Sequence, residues 1–339
     1  METIKELGLA IVGCGRWGMN HVKTASALFG GNLVMVADMN PAAAETVKKI
    51  STDIEFTPDL EKVAADERIN AVIVATPAET HYAVTKKLLQ AGKNVLVEKP
   101  LTILSIQAQA LVDFAEVRHL KLMVGHVLLY HPAVRKLKEL LKSGKVGKLQ
   151  YVYSNRLNFG TVRSEENILW SFAPHDISII QMLTGSNPIW VGAWGASFLQ
   201  PHIEDSTVTC LSYPSNVNAH IFVSWLHPFK EQRLVVIGDN GMIVFEDNLP
   251  KDKLKFYPKH FAANHGTIEK FDGEYEIIPH EEGQPLEEEQ RHFAECVMFD
   301  RRPLTDGKHA LEVLAILEKA ERSVRENGVK IAQREFLCQ

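Results

Sequence analysis

Cysteine is scarce in this 339-residue chain: Cys14, Cys210, Cys296 and Cys338 are scattered, with no C-x-x-C spacing. That pattern argues against a disulfide framework and a cysteine-built zinc site, and it fits a reducing, cytoplasmic setting. His202, Glu204 and Asp205 lie close in sequence, but Pro201 marks a loop there. They read as a solvated turn, and no metal is expected. There is no run of about 18 consecutive apolar residues, so no membrane-spanning helix is expected. A G-x-S-x-G serine and an H-E-x-x-H helix are both missing, which removes two large hydrolase classes. An excess of one charge is also missing: 37 basic residues face 42 acidic ones, for a net charge of −5. Nucleic acid is therefore not an expected partner. Ile11-Val12-Gly13-Cys14 resembles a lipoprotein lipid-attachment box. However, Glu2, Lys5 and Glu6 give no positive excess and the apolar run from Leu7 is too short, so the N-terminus reads as mature protein.

What the chain has is ordinary globular composition, 45% hydrophobic and 23% charged, in a length that suits two domains at ~150 residues each. The first part, residues 1–125, alternates short β-rich runs (Leu7–Val12, Leu33–Ala37, Ala71–Ala75, Asn94–Val97, Leu122–Val124) with helical stretches. Such alternation predicts a doubly wound parallel α/β sheet. Residues 126–339 change character. Long β-rich stretches follow one another from Gln150 to Phe245, with turn signals at Pro214-Ser215 and Asp239-Asn240-Gly241. One helix is expected over Pro174–Leu183 and two near the end, Leu286–Phe299 and Lys308–Glu326. This half predicts an α+β domain with a large, mostly antiparallel open sheet.

Gly13-Cys14-Gly15-Arg16-Trp17-Gly18 stands between the first strand and the first helix. In G-x-G-x-x-G the glycines give a tight turn, close backbone approach to a pyrophosphate and helix-on-strand packing. The helix N-terminus adds free N–H groups and partial positive charge. Asp38 closes the second strand 25 residues after Gly13, where an acid can accept hydrogen bonds from ribose hydroxyls. Met39 and Asn40 follow, so no arginine waits for a 2′-phosphate, and NAD is favoured over NADP.

Ala75-Thr76-Pro77 and Glu98-Lys99-Pro100 end two neighbouring strands at the edge where such sheets bind ligand. There, the Lys99 ammonium can hydrogen-bond a substrate hydroxyl, and burial beside a cofactor would move it toward proton-transfer range. Together with the glycine motif, these tripeptides resemble the glucose-fructose oxidoreductase/inositol dehydrogenase/MocA family of nicotinamide-dependent sugar oxidoreductases, over nearly the whole chain. The resemblance implies cofactor contacts from Gly13, Gly15, Arg16, Trp17, Gly18, Asp38, Thr76, Pro77, His81, Glu98 and Lys99. It also makes Lys99 the lysine between nicotinamide and substrate. A D-x-x-x-H element of that family corresponds to Ser171-Phe172-Ala173-Pro174-His175, which makes His175 the acid/base although Ser171 replaces the aspartate. Asp176 is left to cap the helix or bind substrate.

The block from Arg156-Leu157-Asn158 through Arg163 to Trp170-Ser-Phe-Ala-Pro-His-Asp resembles the branch of UDP-N-acetylglucosamine 3-dehydrogenases. Arg156, Asn158 and Arg163 are then substrate residues, since guanidinium forks suit a diphosphate. Other expectations remain beside this one: a uronate or inositol dehydrogenase of the same family, and a catalytically inactive NAD- and sugar-binding sensor. His126 and Tyr130 fall at the domain junction, as site lining or as packing. Tyr82 and Lys86 form a Y-x-x-x-K pair, but the glycine pattern is not that of short-chain dehydrogenases. In the β-rich half, Val217, Ala219, Ile221, Val223 and Trp225 alternate with Asn218, His220, Phe222 and Ser224. One sheet face should carry helices and the other would be costly to leave bare; the resemblance implies a homodimer or homotetramer built through it.

Overall fold

The computed structural model describes residues 7–332; Glu2, Lys5, Glu6 and Cys338 lie outside them. Two compact units divide the chain: residues up to Tyr130 together with Gly283–Leu314, and His131–Glu282 together with the residues from Ala315 onward. A single cut after Gly125 therefore misses the return of a C-terminal segment to the first unit.

Six parallel strands form the first sheet: β1 (Leu9–Val12), β2 (Leu33–Ala37), β3 (Glu55–Thr57), β4 (Ala71–Val74), β5 (Asn94–Glu98) and β6 (Leu122–Gly125). Their order is β3-β2-β1-β4-β5-β6, the doubly wound dinucleotide-binding arrangement. Every residue of β1 and β4 is buried, as two-sided cover by helices requires. Those helices are α1 (Gly18–Phe29), α2 (Ala43–Ile50), α3 (Leu60–Ala65), α4 (Ala78–Gln90) and α5 (Ser105–Val117). The chain order reverses between β1 and β4, so the turns after β1, β4 and β5 share one sheet edge beside the switch point.

The second unit starts with α6 (Pro132–Lys142), a helix the sequence analysis did not anticipate. Its N-cap is His131, whose Nδ1 accepts from the Ala133 amide at 3.1 Å. A nine-stranded sheet follows, centred on β7 (Leu149–Phe159) and crossed on one face by α7 (Ile168–Thr184). Antiparallel β8 (Trp190–Ala196), β9 (Ser206–Ser212) and β10 (Asn218–Ser224) lead back to β7, which β10 joins in parallel. On the other side stand β11 (Leu226–Gly238), β12 (Gly241–Glu246), β13 (Leu254–Tyr257) and, after a separate hairpin of β14 (His260–Asn264) and β15 (Thr267–Phe271), β16 (Glu276–Ile277). Both expected turns close hairpins, β9–β10 at Pro214–Asn216 and β11–β12 with Gly238 opposite Gly241.

The chain then returns to the first unit with α8 (Pro285–Met298), and Thr305 accepts from the Val124 amide at 2.8 Å beside β6. Helix α9 (Gly307–Arg325) begins in the first unit and ends in the second, where β17 (Ile331–Ala332) pairs with β8. Among the described residues no helix is long and apolar enough to cross a membrane.

Two local expectations are corrected. Helix α7 begins at Ile168, capped by Asn167, rather than at Pro174. A proline is favoured in a first turn, but here the buried run Ile168, Leu169, Ala173, Ile177 and Ile180 carries the helix through it. His175 is therefore mid-helix. Asp205 is not part of a solvated turn; it is fully buried. One carboxylate oxygen accepts from the Phe198 and Leu199 amides at 2.6 and 2.8 Å, and the other from the Trp225 indole at 2.5 Å. Removing this carboxylate would leave three donors to find other partners. Asp205→Ala is expected to destabilise the protein by at least ~2 kcal/mol in urea unfolding; an unchanged midpoint would show that the carboxylate holds nothing.

Candidate active site

The glycine loop leaves β1 with Gly13 at φ +92° and its amide donating to the Ala37 carbonyl at 2.7 Å. A side chain at Gly13 would strike the Ala75 carbonyl, and one at Gly18 the Gly13 carbonyl. At Gly15 a Cβ would meet nothing within 4 Å. Two glycines thus serve packing, while the third faces open space ahead of α1, the cradle a pyrophosphate requires. Arg16 and Trp17 are exposed beside it.

Asp38 stands just past β2, half-buried. Its two oxygens accept from the Cys14 amide at 2.6 Å and the Asn40 amide at 2.8 Å, which fixes the carboxylate against the glycine loop. A carboxylate has about four acceptor positions, so lone pairs remain for ribose hydroxyls. The loop and this acid together fit an adenine dinucleotide. Cys14 is buried, and burial, with the nearby Asp38 carboxylate, pushes its thiol up to about 12. It is a packed thiol, not a reactive one.

The turns after β4 and β5 are tied together by His81 on α4. This side chain is buried, with Nδ1 2.7 Å from the Pro100 carbonyl and Nε2 2.9 Å from that of Thr76. Both ring nitrogens are committed to protein backbone, so His81 positions the two turns. Thr76 is half-buried and takes a hydrogen bond from the Thr80 hydroxyl at 2.7 Å, while Pro77 is exposed as the N-cap of α4.

Glu98 ends β5 and collects three donors. Oε1 accepts from the Trp17 indole (2.5 Å) and His21 Nε2 (2.7 Å), and Oε2 from the Lys99 amide (3.2 Å). Burial would raise this carboxyl, but the His21 hydrogen bond, the Trp17 indole and the Lys99 ammonium outweigh it and hold Glu98 below the usual range. Lys99 is half-buried next to it. His126 is buried close by, and burial, with His309 and Lys99, holds its imidazole well below the ordinary value. It lies edge-on to His309, ring centres 5.1 Å apart. Tyr130 is fully buried, its hydroxyl 3.3 Å from that of Thr305, which is a packing role.

In the second unit, two of the expected substrate residues are paired with each other. Arg156 on β7 and Asp176 on α7 are both buried and paired with each other: Nε to Oδ2 at 2.8 Å, Nη2 to Oδ1 at 3.0 Å. The Ser154 hydroxyl donates to the same carboxylate at 2.6 Å. Burial would lower Arg156, but Asp176 more than compensates and keeps it charged. This bidentate pair clamps α7 to the sheet, and neither residue presents its charge to a ligand. Asn158, two residues on, is half-buried near the end of β7. Arg163 is exposed, paired with Glu166 at 3.0 Å. His175 is half-buried on α7, with Ser171 buried one turn before it. Lys99 and His175 belong to different units. Tyr82 and Lys86 sit on the outer face of α4, with the ammonium 3.4 Å from the phenol oxygen.

The sequence analysis missed His21, Glu289 and Gln290. His21 and Gln290 meet although 269 residues separate them, so no local pattern could signal the contact.

The family comparison agrees with these two halves. Residues 7–126 match the model for the oxidoreductase family with an NAD-binding Rossmann fold, and residues 134–244 match the GFO/IDH/MocA C-terminal domain. The chain belongs to the GFO/IDH/MocA oxidoreductase family. It is 30% identical to the UDP-N-acetylglucosamine 3-dehydrogenase of Acidithiobacillus ferrooxidans over 190 residues, which span 55% of this chain and 57% of that protein. It is 28% identical to the NAD-dependent scyllo-inositol 2-dehydrogenase of Bacillus subtilis over 338 residues, 95% of each. A solved structure of the Acidithiobacillus enzyme superposes with a TM-score of 0.80, covering 94% of this chain and 97% of that one at 24% identity, which shows the shared fold.

The cofactor of this family domain is NAD, and the fixed Asp38 carboxylate would repel a 2′-phosphate. NAD should bind at least tenfold more tightly than NADP, a gap of ~1.4 kcal/mol, and Asp38→Ala should narrow it. Titrations giving equal affinities for the unaltered protein would remove Asp38 as the discriminator.

Proposed function

We propose that this protein oxidises a secondary ring hydroxyl, at C3 of a UDP-N-acetylhexosamine, to a ketone with NAD. The observation that carries the reading is Lys99, half-buried beside the Glu98 carboxylate at the sheet edge that holds the glycine loop. Oxidising an alcohol removes a hydride from carbon and a proton from oxygen. NAD, when bound, supplies the hydride acceptor. The proton is assigned to His175, whose imidazole suits transfer near neutrality; Lys99 holds the hydroxyl oxygen and stabilises developing alkoxide charge. Arg163 is exposed on the loop after β7 and is the guanidinium left for a diphosphate, since Asp176 occupies Arg156. The similarity to the Acidithiobacillus enzyme supports the nucleotide sugar.

A second reading, a cyclic polyol such as an inositol, is favoured by the withdrawal of Arg156 and by the end-to-end match with the Bacillus relative. Mixing the protein with NAD and either UDP-sugars or inositols, and following absorbance of the reduced cofactor, separates the two. Binding of NAD with no reduction on any of them would make the protein a sensor.

Replacing a positioned acid/base costs ~10²–10⁴-fold in rate. Lys99→Ala and His175→Ala should each fall in that range while NAD affinity holds, and Ser171→Ala should lose far less. Near-normal turnover in His175→Ala, with loss in Ser171→Ala, would reassign the base.

The second unit is also proposed to assemble the protein as a homodimer or homotetramer. On the sheet face away from α7, register aligns Trp194, Val208 and Phe222 in one row, and Cys210, His220, Tyr153, Val235 and Val244 in the next. Trp194 is 59% exposed. Val208, Phe222, Tyr153 and Val244 are half-buried beside it, and exposed apolar side chains grouped in this way favour a covering partner. Light scattering at micromolar concentration should give a multiple of the chain mass; a monomer would refute the interface.

A further inference from the structure

Helix α8 enters the first unit from far along the chain and packs on α1, bringing two buried polar side chains, Gln290 to His21 and Glu289 within electrostatic reach of Glu98. Gln290 Nε2 lies 2.9 Å from His21 Nδ1 and 3.2 Å from the His21 carbonyl. The carbonyl is an acceptor only, so the group facing it is the amide NH₂, and the opposite flip would set oxygen against oxygen. The same NH₂ therefore donates to Nδ1. With Nδ1 accepting, the ring carries its proton on Nε2, 2.7 Å from Glu98 Oε1. A one-way chain of donors thus runs from Gln290 through His21 to Glu98, whose other oxygen holds the Lys99 amide.

We propose that Gln290 is a positioning residue for Lys99: by donating to Nδ1 it holds His21 in the Nε2–H tautomer, which pins the Glu98 carboxylate beneath the lysine. This rests on the assignment of Lys99 to the reaction. Neighbouring groups are consistent with it. From α1 come Trp17 and His21, from β5 Glu98 and Lys99, from α8 Glu289 and Gln290, and from the segments after β6 and at the start of α9 His126 and His309. Glu289 is fully buried, with neither carboxylate oxygen hydrogen-bonded. Burial, and then the charge of Glu98, push it well above the usual carboxyl range, while Glu98 is held below it, so Glu98 is the first of the two to ionise.

The test uses the full-length protein with ¹⁵N-labelled histidine. At pH 7 one imidazole, identified by its loss in His21→Gln, should show a bare Nδ1 and a protonated Nε2. Gln290→Met keeps the length and removes the donor. It should shift that signal toward the other tautomer and lower kcat by up to ~10²-fold, the cost of misplacing a reacting group by about an ångström. A protonated Nδ1 with bare Nε2 in the unaltered protein overturns the proposal even if Gln290→Met does not fold. So does a Gln290→Met protein with unchanged spectrum or unchanged kcat. Full turnover in Lys99→Ala would instead refute the role of Lys99 while the tautomer result stood.

Discussion

A carboxylate shielded from water is costly unless donors surround it, and the first unit is arranged around one such group. Glu98 gathers donors from the glycine loop through Trp17, from the first helix through His21, and from the turn of Lys99 through its amide. Gly125 is a glycine because the next strand passes directly over this carboxyl; a Cβ there would lie 3.0 Å from Oε2. The phosphate cradle and the lysine are thereby referred to the same anchor. Movement of one is felt by the other, and this constraint gives the strand-end lysine of the proposed reaction a defined place.

His81 does for the backbone what Glu98 does for the side chains. Its ring spans the Thr76 and Pro100 carbonyls, so the turns after β4 and β5 are held at a set spacing by a buried bridge. The second unit uses the same device with opposite charges. Arg156 and Asp176 neutralise each other inside the contact of α7 with the sheet, with Ser154 satisfying a further lone pair. Truncating either partner of a buried pair leaves the other charge uncompensated, which is why such residues sit in structural positions rather than at a ligand.

The parallel sheet was legible because its signals are local: an all-apolar β1, the three glycines, and an acid closing β2. The long strands and both hairpin turns were legible for the same reason. Helix α7 was misjudged because the proline rule outweighed an apolar pattern that ran through Pro174. Arg156 and Asp205 were misjudged because charge alone does not reveal burial. Each is paired with a group 20 residues away, Asp176 and the Trp225 indole, and only the packed sheet brings them together. The most distant contact, Gln290 with His21, was beyond any local reading.

These arrangements bear on how proton and charge are shared in the proposed oxidation. A carboxylate one turn before His175 would stabilise the imidazolium formed when it takes the substrate proton. Here Ser171 holds that position, and the aspartate next in sequence, Asp176, is bound to Arg156. A neutral hydroxyl stabilises a cation less than an anion does. In the first unit the carboxylate beside Lys99 is Glu98. In the proposed oxidation, a lysine beside a carboxylate suits steadying a developing alkoxide, and the proton is left to His175.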